Sequence, residues 1–460
     1  MREPMSHQIK ALEWAANRTR CPFFMEMRLG KTLVAIRWMQ SCLAAIKQPK
    51  VLVLGPLSVL SGWEDELREE GITPTWLRGP SADKRIDLAV TGDASQVWHL
   101  LNYEGLRATP ELGQLPWDGV ILDESTAIRN PQAQTSALVL SSFANTKYRA
   151  ILSGLPAPEG PLDYFQQMRF LFGEFMGCKN WWSFRHKWYK PGFTTWDWIP
   201  KPGAILSIRN AVWSNAFVLT RTEAGIGSRK VREKRMVELP ARARKIYDRI
   251  ETEWAVSPDC QTQWRVVVQT WLAQVTGGYS PENQLLHDAK FRELELLLTG
   301  ELKEEPVVVW FRYNRELFGV ESRLQEAGIS CITYTGALSV DKGERAEAMR
   351  LFRTGKVRVL LAQVKCARFG LDCSAASTAI YYSNTYSLED RRQSEDRMVH
   401  PKKRDPLLYI DLLAWDTVDE DVYAALLDKN VTAQIFMHKV IENTMARLER
   451  KRSRGQTTVN

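Results

Sequence analysis

Met25-Glu26-Met27-Arg28-Leu29-Gly30-Lys31-Thr32 lies between a short apolar run, Pro22-Phe23-Phe24, and an amphipathic pattern, Leu33-Val34-Ala35-Ile36-Arg37-Trp38-Met39. That order predicts a strand, a turn and the start of a helix. Backbone N–H groups at such a turn point outward and attract phosphate. Gly30-Lys31-Thr32 adds a close backbone approach, a cation for the β- and γ-phosphates and a hydroxyl for Mg²⁺. The full phosphate-loop pattern asks for a glycine five residues before Gly30, where this chain has Met25. The tripeptide alone therefore leaves two readings open, a nucleotide loop and an ordinary helix start. The rest of the chain decides between them.

Composition sets the frame. A chain of 460 residues with 44% hydrophobic and 25% charged residues is globular and long enough for two or three domains. No apolar run approaches the roughly 18 residues that span a bilayer, so no membrane partner is expected. Met1-Arg2-Glu3-Pro4 lacks an apolar signal core, which predicts a cytoplasmic location. The seven cysteines include no C-x-x-C pair, and their odd number argues against a disulfide framework and a zinc site. A net charge of +8 suits a polyanion partner without proving one.

Working outward from the loop, Ser6 to Trp14 reads as a helix with Ser6 as its N-cap and Gln8 near its start. Val51–Gly55, Val97–Tyr103, Gly119–Leu122 and Arg149–Leu152 read as buried strands, with a helix from Leu60 to Glu70. Strands alternating with helices predict βαβ units and a parallel sheet. From about 160 to 285 strand signals thin out and helical patterns dominate. Alternation resumes at Val307–Phe311 and continues through Cys331–Tyr334, Val357–Leu361, Thr378–Tyr382 and Leu407–Ile410. The expected organisation is an ATP-binding α/β lobe over 1–160, a helical extension and connection over 161–290, a second α/β lobe over 291–430, and a C-terminal helix with a basic tail over 431–460.

Asp123-Glu124 directly follows the strand Gly119–Leu122. A carboxylate at that edge lies where ligands bind in open α/β sheets. Asp123 can hold Mg²⁺, and Glu124 can polarise the water that attacks a γ-phosphate. A carboxylate pair stabilising a helix start is the plainer alternative. Gly30-Lys31-Thr32 upstream favours the nucleotide reading.

These motifs, with Ser153-Gly154-Leu155-Pro156 and Gln393-Ser394-Glu395-Asp396-Arg397, fall in the order and spacing of helicase superfamily two. The chain most resembles the SWI/SNF-type ATPases. That group's loop reads Asp-Glu-Met-Gly-Leu-Gly-Lys-Thr, so Met25 stands for an acidic residue and Arg28 for a glycine, and the missing early glycine is no objection. Asn102-Tyr103-Glu104, Pro161-Leu162-Asp163-Tyr164-Phe165, Val218–Thr222 and Val237–Pro240 extend the likeness over about residues 2–425.

The resemblance implies an α/β fold of two RecA-like parallel-sheet lobes, with a helical extension on the first and ATP between them. It implies ATP and Mg²⁺ as cofactors. Gln8 would contact adenine. Arg28, Leu29, Gly30, Lys31 and Thr32 would hold phosphates, with Thr32 and Asp123 on the metal and Lys31, Glu124 and Arg397 as the catalytic set. Gly370, Asp372, Gln393 and His400 would complete the ATP site from the second lobe. Ala367-Arg368 stands where the family has Gly-Gly. Arg397 would be an arginine finger. His400 replaces a second family arginine, and Lys402, Lys403 or Arg404 can compensate. Ser153 and Gly154 would couple nucleotide state to DNA. Pro56, Ser58, Asn102 and Tyr103 in the first lobe, and Thr335, Gly336 and Lys365 in the second, would contact DNA, in loops whose small and hydroxyl residues let backbone N–H groups reach phosphates and position a duplex without reading sequence.

Trp181-Trp182-Ser183-Phe184-Arg185-His186-Lys187-Trp188-Tyr189-Lys190, continued by Trp196 and Trp198, interleaves aromatic and basic residues. Core packing is the favoured reading, because so many indoles are costly to expose; a nucleic-acid surface is the alternative. The basic run Arg447–Arg454 reads as a solvated tail. The functional expectation is an ATP-driven motor on DNA, with duplex expected and sequence ignored. Its rivals are a strand-separating helicase, an RNA-dependent ATPase and a nucleotide-binding scaffold with weak hydrolysis.

Overall fold

The computed structural model describes residues 2–90, 98–158, 160–191, 198–226, 229–255, 262–338, 343–369, 371–400, 403, 405–428, 439–440 and 442–447. Gly370, Trp196, Lys402 and Arg404, and the tail beyond residue 447, lie outside them. The chain divides into two compact units between residues 226 and 227.

The first unit contains β1 (Arg20–Met25), β2 (Val51–Gly55), β3 (Thr75–Trp76), β4 (Trp98–Asn102), β5 (Gly119–Leu122), β6 (Tyr148–Leu152), β7 (Tyr189–Pro191), β8 (Trp198–Pro200) and β9 (Phe217–Leu219). Seven of these form one sheet in the order β3-β4-β2-β5-β6-β1-β9, all parallel. β7 and β8 make a separate antiparallel hairpin. Leu52, Leu54, Leu122 and Ile151 enter one core, while Val51, Val53, Ile121 and Leu152 enter another on the opposite face. Burial on both faces is why these strands read as continuous apolar runs.

The second unit repeats the plan with β10 (Lys230–Val237), β11 (Val307–Phe311), β12 (Cys331–Tyr334), β13 (Val359–Gln363), β14 (Thr378–Tyr381) and β15 (Leu407–Ala414). The order is β10-β15-β14-β11-β13-β12, again all parallel. Both sheets agree with the expected RecA-like architecture.

Several local expectations change. The segment expected as a helical extension of the first lobe and a connection spans the boundary between the units: helices Tyr164–Phe172, Trp181–Trp188 and Ala204–Asn215 belong to the first unit, and Ala241–Ala255 and Thr262–Thr276 to the second. The first helix, Ser6–Ala15, is capped at Met5 rather than Ser6, because the Gln8 side chain accepts the Met5 N–H at 2.8 Å. In the tryptophan-rich helix, Phe184 stacks on Phe165 at 4.7 Å and is core, whereas Trp182 is 52% exposed. Arg447, expected in a solvated tail, is buried and pairs with Glu251 at 2.7 Å and Asp421 at 3.0 Å. Its charge is neutralised inside the second unit. Among the described residues no helix is long and apolar enough to cross a membrane.

A second buried charge lies beneath β11 and β14. Glu316 accepts from the Ser383 hydroxyl through Oε2, while its Oε1 has no hydrogen-bond partner among the described residues. A side chain on Gly277 would bring its Cβ to 1.9 Å from that oxygen. The nearby Lys290 ammonium is bound to Asp419 at 2.7 Å and to the Tyr382 carbonyl at 3.0 Å. Burial pushes the Glu316 carboxyl up from 4.5 to about 7. A raised acid favours the fold below the unfolded value, and that contribution is lost as pH rises through 7. Glu316→Gln is therefore expected to gain on the parent by on the order of 1 kcal/mol per pH unit between pH 5 and 7. Denaturant unfolding of both proteins across that range measures it; parallel pH profiles refute it.

Candidate active site

The parallel order brings the C-terminal ends of β5, β6 and β1 side by side. Asp123-Glu124 leaves β5, Ser153-Gly154 leaves β6, and the 26–30 loop leaves β1. Ligands bind at this edge of open α/β sheets.

Gly30 precedes helix Lys31–Leu43 with φ +70°. A Cβ there would fall 2.1 Å from Gln8 Nε2, so the position needs glycine for its conformation and for its neighbour. Gln8 Nε2 donates to the carbonyls of Leu29 and Gly30 at 3.4 and 3.3 Å, and a His7 ring nitrogen lies 3.0 Å from the Leu29 carbonyl. Gln8, expected at adenine, is thus buried with both ends of its amide bonded to this chain. Glu26 anchors the other end of the loop: its carboxylate accepts the Arg221 N–H at 3.0 Å and lies 3.2 Å from Arg221 Nε.

Lys31 Nζ donates to the carbonyls of Met25 at 2.9 Å and Glu26 at 3.4 Å, which places its ammonium across the loop. Thr32 stands in the first turn, where the helix dipole and unpaired N–H groups favour anions. Gly154 closes the far wall. Its Cβ would meet Met27 Cγ at 3.1 Å, Met27 N at 3.3 Å and Lys31 Nζ at 3.6 Å.

Asp123 is buried at the end of β5. Its Oδ2 accepts from the Trp63 indole N–H at 2.7 Å and its Oδ1 from the Glu124 N–H at 2.8 Å. Burial raises its carboxyl above the usual range, against the pull of the Trp63 bond and the Lys31 charge. Among the described residues no group of three or more acidic, His or Cys side chains could cage a metal. The Thr32 hydroxyl and one carboxylate instead fit a Mg²⁺ ion carried on nucleotide phosphates.

Two residues that the sequence did not single out complete this region. Trp63 belongs to the buried face of helix Leu57–Glu69, and its spacing announces only core packing. Gln167 accepts from the Ser125 hydroxyl at 2.7 Å and donates to the carbonyls of Pro156 at 2.6 Å and Asp163 at 2.9 Å. It therefore ties the segment after Asp123-Glu124 to the one after Ser153-Gly154.

The expected DNA contacts sit along the same edge. Pro56 caps helix Leu57–Glu69, and the buried Ser58 hydroxyl has no partner among the described residues. Asn102 caps helix Tyr103–Ala108 by accepting from Gly105 N at 3.2 Å. The Tyr103 ring is buried and its hydroxyl donates to the Asp123 carbonyl at 2.9 Å, which leaves only backbone for a DNA contact.

In the second unit, Thr335 is buried after β12, while Gly336 faces open space and accepts from Arg345 at 3.0 Å. Lys365 follows β13 and is exposed beside an open cavity of about 450 Å³. The cavity also holds Arg312, stacked 3.7 Å over the Tyr386 ring, and Tyr313. Arg312 Nη1 and the Tyr313 hydroxyl have no hydrogen-bond partner among the described residues.

Gln393 lies on helix Leu388–Asp396 and donates to Glu389 at 3.1 Å; its Oε1 is buried without a partner among the described residues. Arg397 follows that helix and donates to the Ala367 carbonyl at 2.6 Å. A buried ionic network fixes the helix. Arg391 binds Asp411 through Nη1 at 2.6 Å and Nη2 at 2.9 Å, and Glu395 through Nε at 3.0 Å. Arg232 and Lys230 of β10 take the remaining Glu395 positions. These cations hold the Glu395 carboxyl well below the usual range despite burial. Asp372 accepts from Ser374 N at 3.2 Å, and His400 O accepts the Lys403 N–H at 3.0 Å. Lys403 Nζ donates to the carbonyls of Ser374 and Ala376 at 3.0 and 2.7 Å, which commits it locally.

Residues 7–271 match the model of the SNF2-related domain, and residues 289–402 match the helicase conserved C-terminal domain. Protein p41 of Acyrthosiphon pisum secondary endosymbiont phage 1 is 25% identical over 86% of this chain and 89% of its own length. The "Probable global transactivator" of Orgyia pseudotsugata multicapsid polyhedrosis virus is 23% identical over 97% of this chain and 93% of its own. The fold is similar to the Pyrococcus furiosus Hef helicase domain, with a TM-score of 0.54 and 15% identity over 92% of this chain and 98% of that one.

Two substitutions test the geometry. Trp63→Phe leaves a buried carboxylate oxygen without its donor and is expected to cost about 1–3 kcal/mol of stability. Denaturant unfolding of both proteins measures it, and parent-like stability refutes the contact. Arg28 has φ +68°, a region that disfavours side chains. Arg28→Gly is expected to stabilise the protein by about 1 kcal/mol, measured by denaturant unfolding, and a loss of stability would show that side-chain contacts outweigh the backbone strain.

Proposed function

The chain belongs to the SNF2-related family, a branch of helicase superfamily two, and from that membership we propose that it is a DNA-dependent ATPase that translocates on duplex DNA. The observation that carries this reading is the meeting of three loops at one sheet edge: a Cβ on Gly154 would stand 3.6 Å from Lys31 Nζ, and the Lys31 charge acts on the buried Asp123.

In this reading the loop N–H groups and Lys31 bind the ATP phosphates, which compete with the Met25 and Glu26 carbonyls for the ammonium. Thr32 and Asp123 would hold Mg²⁺, which neutralises phosphate charge when bound. Glu124, at φ +47° just beyond Asp123, orients and deprotonates the attacking water. Arg397 stabilises charge on the transferring phosphoryl group, and its backbone position is set by the Arg391–Asp411–Glu395 network. Gln167 transmits the nucleotide state from Ser125 to the Ser153–Pro156 segment. Pro56, Ser58 and Asn102 would meet duplex phosphate in the first unit, and Gly336, Lys365 and Arg312 in the second.

ATP hydrolysis should rise with duplex DNA more than with single strands or RNA at 100 mM salt. Lys31→Ala, Glu124→Gln and Arg397→Ala should each lower the stimulated rate by about 100-fold or more. Movement along duplex is read separately by displacement of a triplex-forming strand. Parent-like hydrolysis in the Lys31 and Glu124 variants would end the motor reading. Full ATPase stimulation without triplex displacement would end the translocation part alone.

A further inference from the structure

The helical part of the first unit presents a surface that the nucleotide chemistry does not use. Between residues 175 and 215 the sequence carries six lysines and arginines against a single acidic residue, Asp197. The aromatic residues among them form a continuous path. Arg185 lies 4.5 Å over the Trp182 ring, 4.4 Å over Trp181 and 3.8 Å over Trp198. Trp198 meets the His186 ring edge-on at 4.9 Å. Lys201 donates to the carbonyls of His186 at 2.8 Å and Lys187 at 3.1 Å, so it caps the helix that carries Trp182. Lys201 and Arg209 then flank an open apolar groove of about 320 Å³, walled by Ile205 and Leu206. Arg209 stacks 3.9 Å over Trp213.

The path thus begins and ends on an exposed indole, Trp182 at 52% and Trp213 at 40% exposure, each with a guanidinium against it. Lys190 and Ile199, paired across β7 and β8, are exposed beside it. We propose that this ribbon binds single-stranded nucleic acid without sequence preference, with Trp182 and Trp213 stacking on unpaired bases and Lys190 and Arg209 meeting the phosphates.

Stacking is tolerant of sequence because every base has a π-face, and neighbouring cations add charge attraction and cation–π contact. A duplex keeps its bases stacked on one another and offers only phosphates, so it cannot use the exposed rings. An acidic amphipathic protein segment would fill the Ile205–Leu206 groove, but Trp182 does not line that groove. The alternation of ring and cation along the whole path therefore favours nucleic acid. This surface requires no ATP hydrolysis, so it stands or falls apart from the motor reading.

The test uses the full chain, a fluorescein-labelled 20-nucleotide oligo-dT and a blunt duplex of equal length, by anisotropy without nucleotide. The double variant Trp182→Ala/Trp213→Ala should bind oligo-dT about 10-fold or more weakly, while duplex affinity and basal ATP hydrolysis change less than about twofold. Phe at both positions should recover most of the affinity. Lys190→Glu/Arg209→Glu, placed on exposed positions, should weaken oligo-dT binding and flatten its salt dependence. Unchanged oligo-dT affinity in the double alanine variant overturns the proposal, as does an equal loss for duplex. Capture of a Leu/Glu amphipathic peptide through the same indoles, with oligo-dT binding intact, would assign the surface to a protein partner instead. DNA-stimulated ATP hydrolysis, measured in the same samples, reports on the motor reading independently.

Discussion

The first unit turns on a contact of a few atoms. The amide of Gln8 occupies the space above Gly30 where any side chain would stand. Its Nε2 holds two loop carbonyls and its Oε1 closes the start of the preceding helix. One buried side chain therefore fixes the loop against helix Ser6–Ala15 and sets where Lys31 and Thr32 begin the next helix. The left-handed backbone at Gly30 ends the 26–30 loop and leads directly into helix Lys31–Leu43, whose first N–H groups face the loop's end. For Gln8 to read a base edge it would have to exchange these bonds. The physical role visible in this chain is to hold the loop.

Charge is buried in opposite ways in the two units. In the first, Asp123 is desolvated with two neutral donors and a lysine close enough to stabilise its charge. Such a carboxylate gains from a cation that arrives with substrate. In the second, Arg391 is surrounded by Asp411, Glu395 and Asn384, with the Tyr381 ring 3.3 Å from its guanidinium carbon. Its charge is balanced internally. The first arrangement suits binding, and the second suits holding helix Leu388–Asp396 still, with Gln393 on it and Arg397 at its end. A buried pair of this kind is strongly destabilised by removing either partner, which makes it a rigid support.

Much of the fold was legible because both sheets are parallel and covered on two faces. Val51–Gly55, Gly119–Leu122, Val307–Phe311 and Cys331–Tyr334 form strands at the expected residues. β10 escaped notice because Lys230–Val237 is an edge strand largely outside the core, and charged residues replace the apolar run. β3 and β9 are too short to carry a period. Motif spacing located the loop, the carboxylates and Ser153-Gly154, but not the contacts that support them. Trp63 and Gln167 lie 60 and 42 positions from the groups they bind, and such pairings leave no local pattern. The same holds for Arg447, whose basic neighbours suggested a tail while its partners, Glu251 and Asp421, are distant in sequence.

The two non-glycine residues of this site with positive φ, Arg28 and Glu124, carry this argument one step further. Each left-handed side-chain residue costs on the order of 1–3 kcal/mol and persists only where its surroundings over-determine it. For Glu124 the surroundings are plain: Asp123 is clamped by Trp63 and Tyr103, and Ser125 by Gln167, so the residue between them has no freedom to relax. For Arg28 the clamps are Glu26, held by Arg221, and Leu29, held by His7 and Gln8. The resemblance to SWI/SNF-type loops puts glycine where Arg28 stands, and the backbone explains why glycine suits it. The loop keeps its shape despite the substitution because its ends, not residue 28, fix its path. What the arginine adds is a charge, in a loop whose geometry other residues maintain.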